Sequence, residues 1–322
     1  MRVYFLGAGA SKSFYSTLPT ATELTLESLL HPFTYESLDQ TPPDNAIEAV
    51  RSFAASKGLS ETQRRQPLEE ILDVFEGHRY EYLSLQFCLL GRLWIADHTN
   101  TSLLKSWLGR VRQNGDTIIT TNYDTVLERG ISKLTKSPDS RPMAERGLLN
   151  YGVEPGLLMP GYEKLARDAV PESITLLKLH GSISWSYCAN CGRAKLHPVY
   201  KNEGMDALAG KQCDCGGELS PILVGPAKKQ YEHPVIASVV NTASRRLQQA
   251  SEIIFVGFSM TSGDEMVRKI VTEADAIART RQVILVDPLA ERLKSVYENI
   301  YGKTALNVIA VGWQEYLQAG HV

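Results

Sequence analysis

Six short apolar runs, at residues 3–6, 117–121, 174–179, 253–256, 283–286 and 308–311, constrain this chain more than any other feature. Short, Val- and Ile-rich runs of this kind suit strands buried on both faces. Helical periodicity separates several of them: Val235, Ile236, Val239, Val240, Ala243 and Leu247 share one face, as do Met266, Val267, Ile270, Val271, Ala274 and Ile277. Strands alternating with helices predict an α/β fold, a doubly wound, mostly parallel sheet with helices on both faces. Each run ends at once in glycine or polar residues. Gly7-Ala8-Gly9-Ala10-Ser11 follows the first, Asn122-Tyr123-Asp124 the second and His180-Gly181-Ser182 the third. Gly257-Phe258-Ser259, Asp287 and Gly312-Trp313 follow the others. Ligands of open parallel sheets bind outside the carboxyl ends of the strands, so these segments are expected to converge on one crevice.

The first turn has the chemistry of a phosphate loop. Small residues let backbone N–H groups approach an anion, and a helix start adds favourable potential. The dehydrogenase fingerprint G-x-G-x-x-G fails, because Lys12 stands at the third glycine, and no acidic residue ends a second strand about 20 residues on. No G-x-x-x-x-G-K-[ST] occurs either. Hydride transfer and ordinary ATP hydrolysis both lose support. A net charge of −2 gives no general reason to expect nucleic acid or an anionic membrane as partner. No apolar run approaches the roughly 20 residues of a membrane helix, and the start lacks a signal-peptide pattern. A cytoplasmic location is the expectation.

Residues 45–113 read as helical, with Leu68, Ile71, Leu72 and Phe75 on one stripe and Leu103, Leu104, Trp107, Leu108 and Val111 on another. Residues 20–30 show helical spacing, and residues 32–44, with Pro42-Pro43, read as loop. Of the five cysteines, Cys88 lies in an apolar helical pattern and the others form two close pairs, Cys188/Cys191 and Cys213/Cys215. Outside an oxidising compartment, such pairs suggest a metal site rather than disulfides, and four thiolates suit a closed tetrahedral structural zinc site. The second pair is C-x-C, one residue shorter than usual. A strained tetrahedron and a ribbon that has lost its metal are both open, with His197 as a substitute ligand or a plain loop residue.

Taken together, Gly7-Ala8-Gly9-Ala10-Ser11, Thr121-Asn122-Tyr123-Asp124, His180-Gly181, the paired cysteines and Gly257-Phe258-Ser259 resemble the sirtuins, whose motifs GAG-x-S, QN-x-D, HG, a cysteine ribbon and G-[ST]-S come in the same order. The resemblance implies a Rossmann-like NAD domain with a small zinc ribbon, cleaving the nicotinamide–ribose bond. On this reading residues 1–30, 115–184 and 220–322 build the NAD domain, 31–114 a helical insertion, and 185–219 the zinc-ribbon module. Gly7, Ala8, Gly9, Ser11, Thr121, Gly257, Phe258 and Ser259 would line the nucleotide site. Asp287 would accept from the adenosine ribose, or serve only as a turn residue. Asn122 would fix the nicotinamide ribose and an attacking water. His180 would be the general base, against the plainer reading of a structural histidine. Asp124 would orient Asn122 or the nicotinamide pocket, or else cap the following helix.

Departures from the deacylating sirtuins bear on the acceptor. Their G-I-P-D-F-R loop is replaced by Thr17-Leu18-Pro19-Thr20-Ala21-Thr22, and their F-G-E segment by Pro221-Ile222-Leu223-Val224-Gly225-Pro226. With nucleotide motifs kept and acceptor motifs gone, water becomes the expected acceptor. The pattern is similar to bacterial sirtuin-like NAD hydrolases of antiphage defence. That resemblance implies a homo-oligomer and a gating partner such as a HerA-type ATPase. A deacylase or ADP-ribosyltransferase and a non-enzymatic nucleotide sensor are the alternatives.

Overall fold

The computed structural model describes the chain apart from residues 17, 21, 31–43, 76, 94–101, 135–146, 169, 198–211, 224–231, 261–263, 278–280, 303–304 and 321–322. Its strands are β1 (Arg2–Leu6), β2 (Thr117–Thr120), β3 (Leu149–Asn150), β4 (Ile174–Lys178), β5 (Gly181–Cys188), β6 (Arg193–Leu196), β7 (Leu219–Leu223), β8 (Glu252–Val256), β9 (Gln282–Val286) and β10 (Leu306–Ile309).

Seven of them form one sheet in the order β10-β9-β8-β1-β2-β4-β3. Every pairing in it is parallel, with Phe5 of β1 opposite Ile119 of β2 on one side and Phe255 of β8 on the other. From β1 the chain builds outward through β2 to β4, then returns to lay β8, β9 and β10 on the opposite flank. The order therefore reverses between β1 and β8, and at such a switch point an α/β sheet opens a crevice. The six expected runs all fall on strands, but the last is displaced: β10 ends at Ile309 rather than 311, and none of its four residues is fully buried. The seventh strand, β3, was not foreseen, because two residues, one of them Asn150, leave no apolar run to read.

Helices cover both faces. Pro234–Gln249 starts on a proline, whose missing N–H costs nothing in a first turn, and buries Val235, Ile236, Val239, Val240, Ala243 and Leu247. Glu265–Ile277 buries Val267, Ile270, Val271 and Ala274. Buried Arg281 donates to the Leu247 carbonyl at 2.7 Å and to the Ala274 carbonyl, placing a cation at the C-terminal ends of both helices. On the sheet's other side Ser102–Asn114 drives Trp107 against Tyr4 of β1, edge to face at 5.1 Å, with Trp313 5.1 Å beyond. The stripe at Leu68 to Phe75 is buried as expected, but splits into an α-turn, Leu68–Ile71, and a 3₁₀ turn, Leu72–Phe75. The helix expected over 20–30 is only Leu26–Leu30, because Glu23 folds back onto the Thr20 N–H at 2.8 Å and closes a turn instead. Of the expected 32–44 loop, all but Asp44 lies outside the described residues, and Asp44 starts the helix Asp44–Ser56.

A second, antiparallel sheet, β6-β5-β7, carries the cysteines and runs from Gly181 to Leu223, wider than the Cys-rich segment 185–219. It has its own small apolar cluster of Met159, Cys188, Cys213 and Leu219. Among the described residues no helix is long and apolar enough to cross a membrane.

Candidate functional site

At the switch point two glycine turns meet backbone to backbone. The Gly7 N–H donates to the Val256 carbonyl at 2.9 Å and the Gly9 N–H to the Gly257 carbonyl at 3.1 Å. A Cβ on Gly7 would lie 2.3 Å from the Gly257 oxygen, and one on Gly257 2.4 Å from the Ala10 nitrogen. Gly257 also has φ +57°, a left-handed conformation that L side chains rarely take. Only glycine fits this contact. The Ala8–Phe14 helix starts directly from it, with Ser11 buried. Lys12, on the same helix, pairs with Glu23 at 2.5 Å.

Asn122 reaches this junction from β2. Its amide nitrogen donates to the Gly7 carbonyl and to Ser11 Oγ, each at 2.9 Å. Those two bonds use both amide hydrogens and leave Oδ1 as the group's acceptor atom. The orientation is set by Thr120, whose hydroxyl donates to the Leu6 carbonyl at 2.8 Å and accepts from the Asn122 N–H at 3.1 Å. Thr121 is half-buried beside it. On the other wall Phe258 is buried, its ring 4.7 Å from that of Phe5 and its carbonyl accepting from the Tyr297 hydroxyl at 2.6 Å. Ser259 is exposed. Asp287 is half-buried after β9; Oδ1 accepts from the Leu289 N–H at 2.7 Å, and burial pushes its carboxyl above the usual range. The turn reading of Asp287 is thus real, whatever else it does.

The segments after β2 and β4 are tied together. The Leu179 N–H donates to the Thr120 carbonyl at 2.9 Å and the Ile183 N–H to the Tyr123 carbonyl at 3.1 Å. His180 lies between these bonds, fully buried, its ring 6.0 Å from that of Tyr123. Burial pushes its pKa down to about 4, so the imidazole is neutral near pH 7. Gly181, which follows at φ +78°, passes so close to β7 that a Cβ would lie 2.1 Å from the Ile222 oxygen. Asp124 is buried, and its Oδ1 accepts from the Val126 N–H at 3.0 Å, an Asx turn that leads into the helix Val126–Ser132, whose N-cap is Thr125. The expected capping role thus takes the form of a bond to the first helical N–H from outside the N-cap position. Behind it Lys178 Nζ donates to the Asp124 carbonyl and to Glu128 Oε1, the latter at 2.9 Å, with both side chains 1% exposed. Burial pushes the Glu128 carboxyl up while the Lys178 ammonium pulls it back.

Cys188, Cys191, Cys213 and Cys215 place their sulfurs within 4.8 Å of one another. Cys188 and Cys215 are 3.5 Å apart and Cys191 and Cys213 3.7 Å, far beyond a disulfide bond of about 2.05 Å. Zn–S bonds of about 2.3 Å at a tetrahedral angle require edges of about 3.8 Å. The donor set fits zinc, and the short C-x-C spacing does not prevent it. The second turn closes with the Gly216 N–H donating to the Cys213 carbonyl, and the Cys213 N–H to the Gly217 carbonyl, both at 2.8 Å. His197 is not in this cluster; it lies against the Tyr162 hydroxyl, 3.0 Å from Nδ1.

Sequence reading missed Thr120, Glu128, Tyr151 and Lys178. The signal for Lys178 was present, since it is a cation inside an apolar run; a lone Glu or Thr gives none.

A family model described as a SIR2-like domain matches residues 116–306, a span that leaves the Gly7–Ser11 turn outside it. An NAD-dependent protein deacetylase of Fusobacterium nucleatum is 26% identical over 199 residues, covering 56% of this chain and 70% of that protein. Among solved structures, a Sir2 homologue in complex with NAD superposes with a TM-score of 0.50 at 16% identity, covering 99% of this chain and 86% of that one. That likeness concerns the fold.

Proposed function

The chain belongs to the SIR2-like family, and from that premise we propose that it is an NAD hydrolase, releasing nicotinamide and ADP-ribose. The observation that carries water as acceptor lies at β7. The described part, Pro221–Leu223, of the segment standing where deacylating sirtuins form their acyl-lysine channel is folded into the chain itself, with Ile222 buried against Gly181. The Leu223 carbonyl accepts from the Tyr82 hydroxyl at 3.2 Å, and Tyr82 belongs to the helix Arg79–Leu93 of the expected insertion. Val224, Gly225 and Pro226 lie outside the described residues.

The proposed site works as follows. Gly7, Ala8, Gly9 and Ser11 on one wall and Gly257, Phe258 and Ser259 on the other hold the pyrophosphate, with Asp287 toward the adenosine ribose and Thr121 at the rim. Breaking the bond to the cationic nicotinamide leaves positive charge on the ribose. Asn122 Oδ1 accepts from the ribose or from the water that attacks its anomeric carbon. His180, held neutral by burial, takes the proton that this water loses. Asp124 fixes the backbone that carries Asn122. Zinc on the four cysteines would cross-link β5 to the turn before β7 and take no part in the chemistry. Because a free-running hydrolase would drain its host of NAD, the activity is gated, by assembly into an oligomer or by a defence partner such as a HerA-type ATPase.

The name of the Fusobacterium relative favours a second reading, a protein deacylase. Nicotinamide release is therefore followed with NAD alone and with an added acylated peptide. Release without peptide, reduced by about 10²–10⁴-fold in His180→Ala and lost in Asn122→Ala, supports hydrolysis. Strict dependence on peptide refutes it, and tight binding without release, even with candidate partners present, points to a sensor.

A further inference from the structure

The buried ion pair behind the site has no part in the chemistry just described, yet its connections all lead to it. Lys178 is two residues before His180 and reaches across to the Asp124 carbonyl, two residues after Asn122, as well as to Glu128. Glu128 sits on the helix whose first N–H, that of Val126, Asp124 accepts from, and its Oε1 also accepts from the Tyr151 hydroxyl at 3.4 Å. Tyr151 packs edge to face on Trp185 of β5, rings 4.8 Å apart. Lys178, Glu128, Tyr151 and Trp185 are all almost wholly buried.

A buried ion pair is poor evidence for stability, since desolvating two charges offsets most of their attraction, and well-packed apolar side chains often do as well. What apolar side chains would not supply is a directed bond from β4 to the backbone of the neighbouring loop. We infer that Lys178 and Glu128 are a positioning pair: they lock the loop carrying Asn122 against the strand end carrying His180, so that the two side chains meet one substrate in fixed relation. The inference rests on the hydrolase reading above for its consequence in turnover, but not for the locking itself.

The test separates the two. Lys178→Met with Glu128→Leu removes both charges at similar volume, so it recovers most of the thermal stability that either single change loses. Hydrogen exchange is then measured over residues 121–125 and 179–183, alongside nicotinamide release and its dependence on NAD concentration. The expected result is faster exchange confined to those segments and a fall in kcat of about 10²-fold, as for a misplacement of about 1 Å, with KM for NAD unchanged. Wild-type exchange in the double variant overturns the inference, and so does wild-type kcat. If the wild-type protein releases no nicotinamide even with candidate partners present, the hydrolase reading fails, and exchange alone decides whether the pair locks the loops. Should the double variant not fold, Lys178→Met, which removes the bond to the Asp124 carbonyl and leaves Glu128 to be neutralised by a proton, is read by the same measurements and the same criteria.

Discussion

His180 gives the protein an acid-side weakness whose size can be worked from its burial. The ring is 0% exposed and its pKa is pushed down to about 4; in an unfolded chain a histidine titrates near 6.5. Between those values the unfolded state binds a proton that the folded state refuses. The stability tied to keeping His180 neutral is therefore fully present above about pH 6.5 and is lost as pH falls toward 4. The whole difference amounts to about 3 kcal/mol, at about 1.36 kcal/mol per pKa unit, and about 2 kcal/mol of it falls between pH 7 and pH 5. Urea unfolding of the wild type and of His180→Gln at pH 7, 6 and 5 isolates this contribution, because the other titrating groups are common to both and cancel in the difference. The variant's own stability does not matter; the slope does. The wild type should lose about 2 kcal/mol more than the variant across that interval. Curves that stay parallel would mean that the imidazole takes up its proton as readily in the folded state as in the unfolded chain, and the argument from burial would fall.

Three further outcomes follow from the geometry. Gly257→Ala should destabilise by at least about 1–2 kcal/mol from its left-handed backbone alone, with the clash at Ala10 added, and should abolish ADP-ribose binding in a calorimeter. Metal analysis should return one zinc per chain, and Cys213→Ser or a strong chelator should make residues 181–223 sensitive to protease while the parallel sheet keeps its circular dichroism. Asp124→Ala should cost about 1–3 kcal/mol by leaving the buried Val126 N–H without its acceptor, whereas Asp124→Asn keeps an oxygen for that N–H and should melt near wild type; a fall in turnover in that variant would assign Asp124 a role beyond this bond.

Much of this site was legible because strand ends advertise themselves. A run such as 253–256 followed by Gly257-Phe258-Ser259 signals both a buried strand and a turn that must admit a backbone, and the structure puts that turn on Gly7 and Gly9. What was not legible is what depends on pairing across distant sequence. Nothing local distinguishes Glu128 from a surface glutamate of an amphipathic helix until β4 brings Lys178 to it, 50 residues away. Asp124 and Asp287 show the reverse case. Each was read with a functional and a local role, and each is seen making its local bond, because a short side chain beside free N–H groups satisfies them whatever else it does. The short helix Leu26–Leu30 illustrates a third limit, since periodicity does not register a side chain such as Glu23 that competes for the backbone.

The placing of β1 in the middle of the sheet has a consequence for biosynthesis. Its partners are β2 and β8, and β8 begins at Glu252. At about 5–20 residues per second, the ribosome needs roughly 10–50 s after making β1 to deliver the strand that completes its edge. Throughout that time the chain carries an apolar strand with one side open, so it is a natural client for a chaperone. It also has only one wall of its crevice, because Gly257 has yet to be made. For a protein proposed to consume NAD, an incomplete chain is thereby a harmless one.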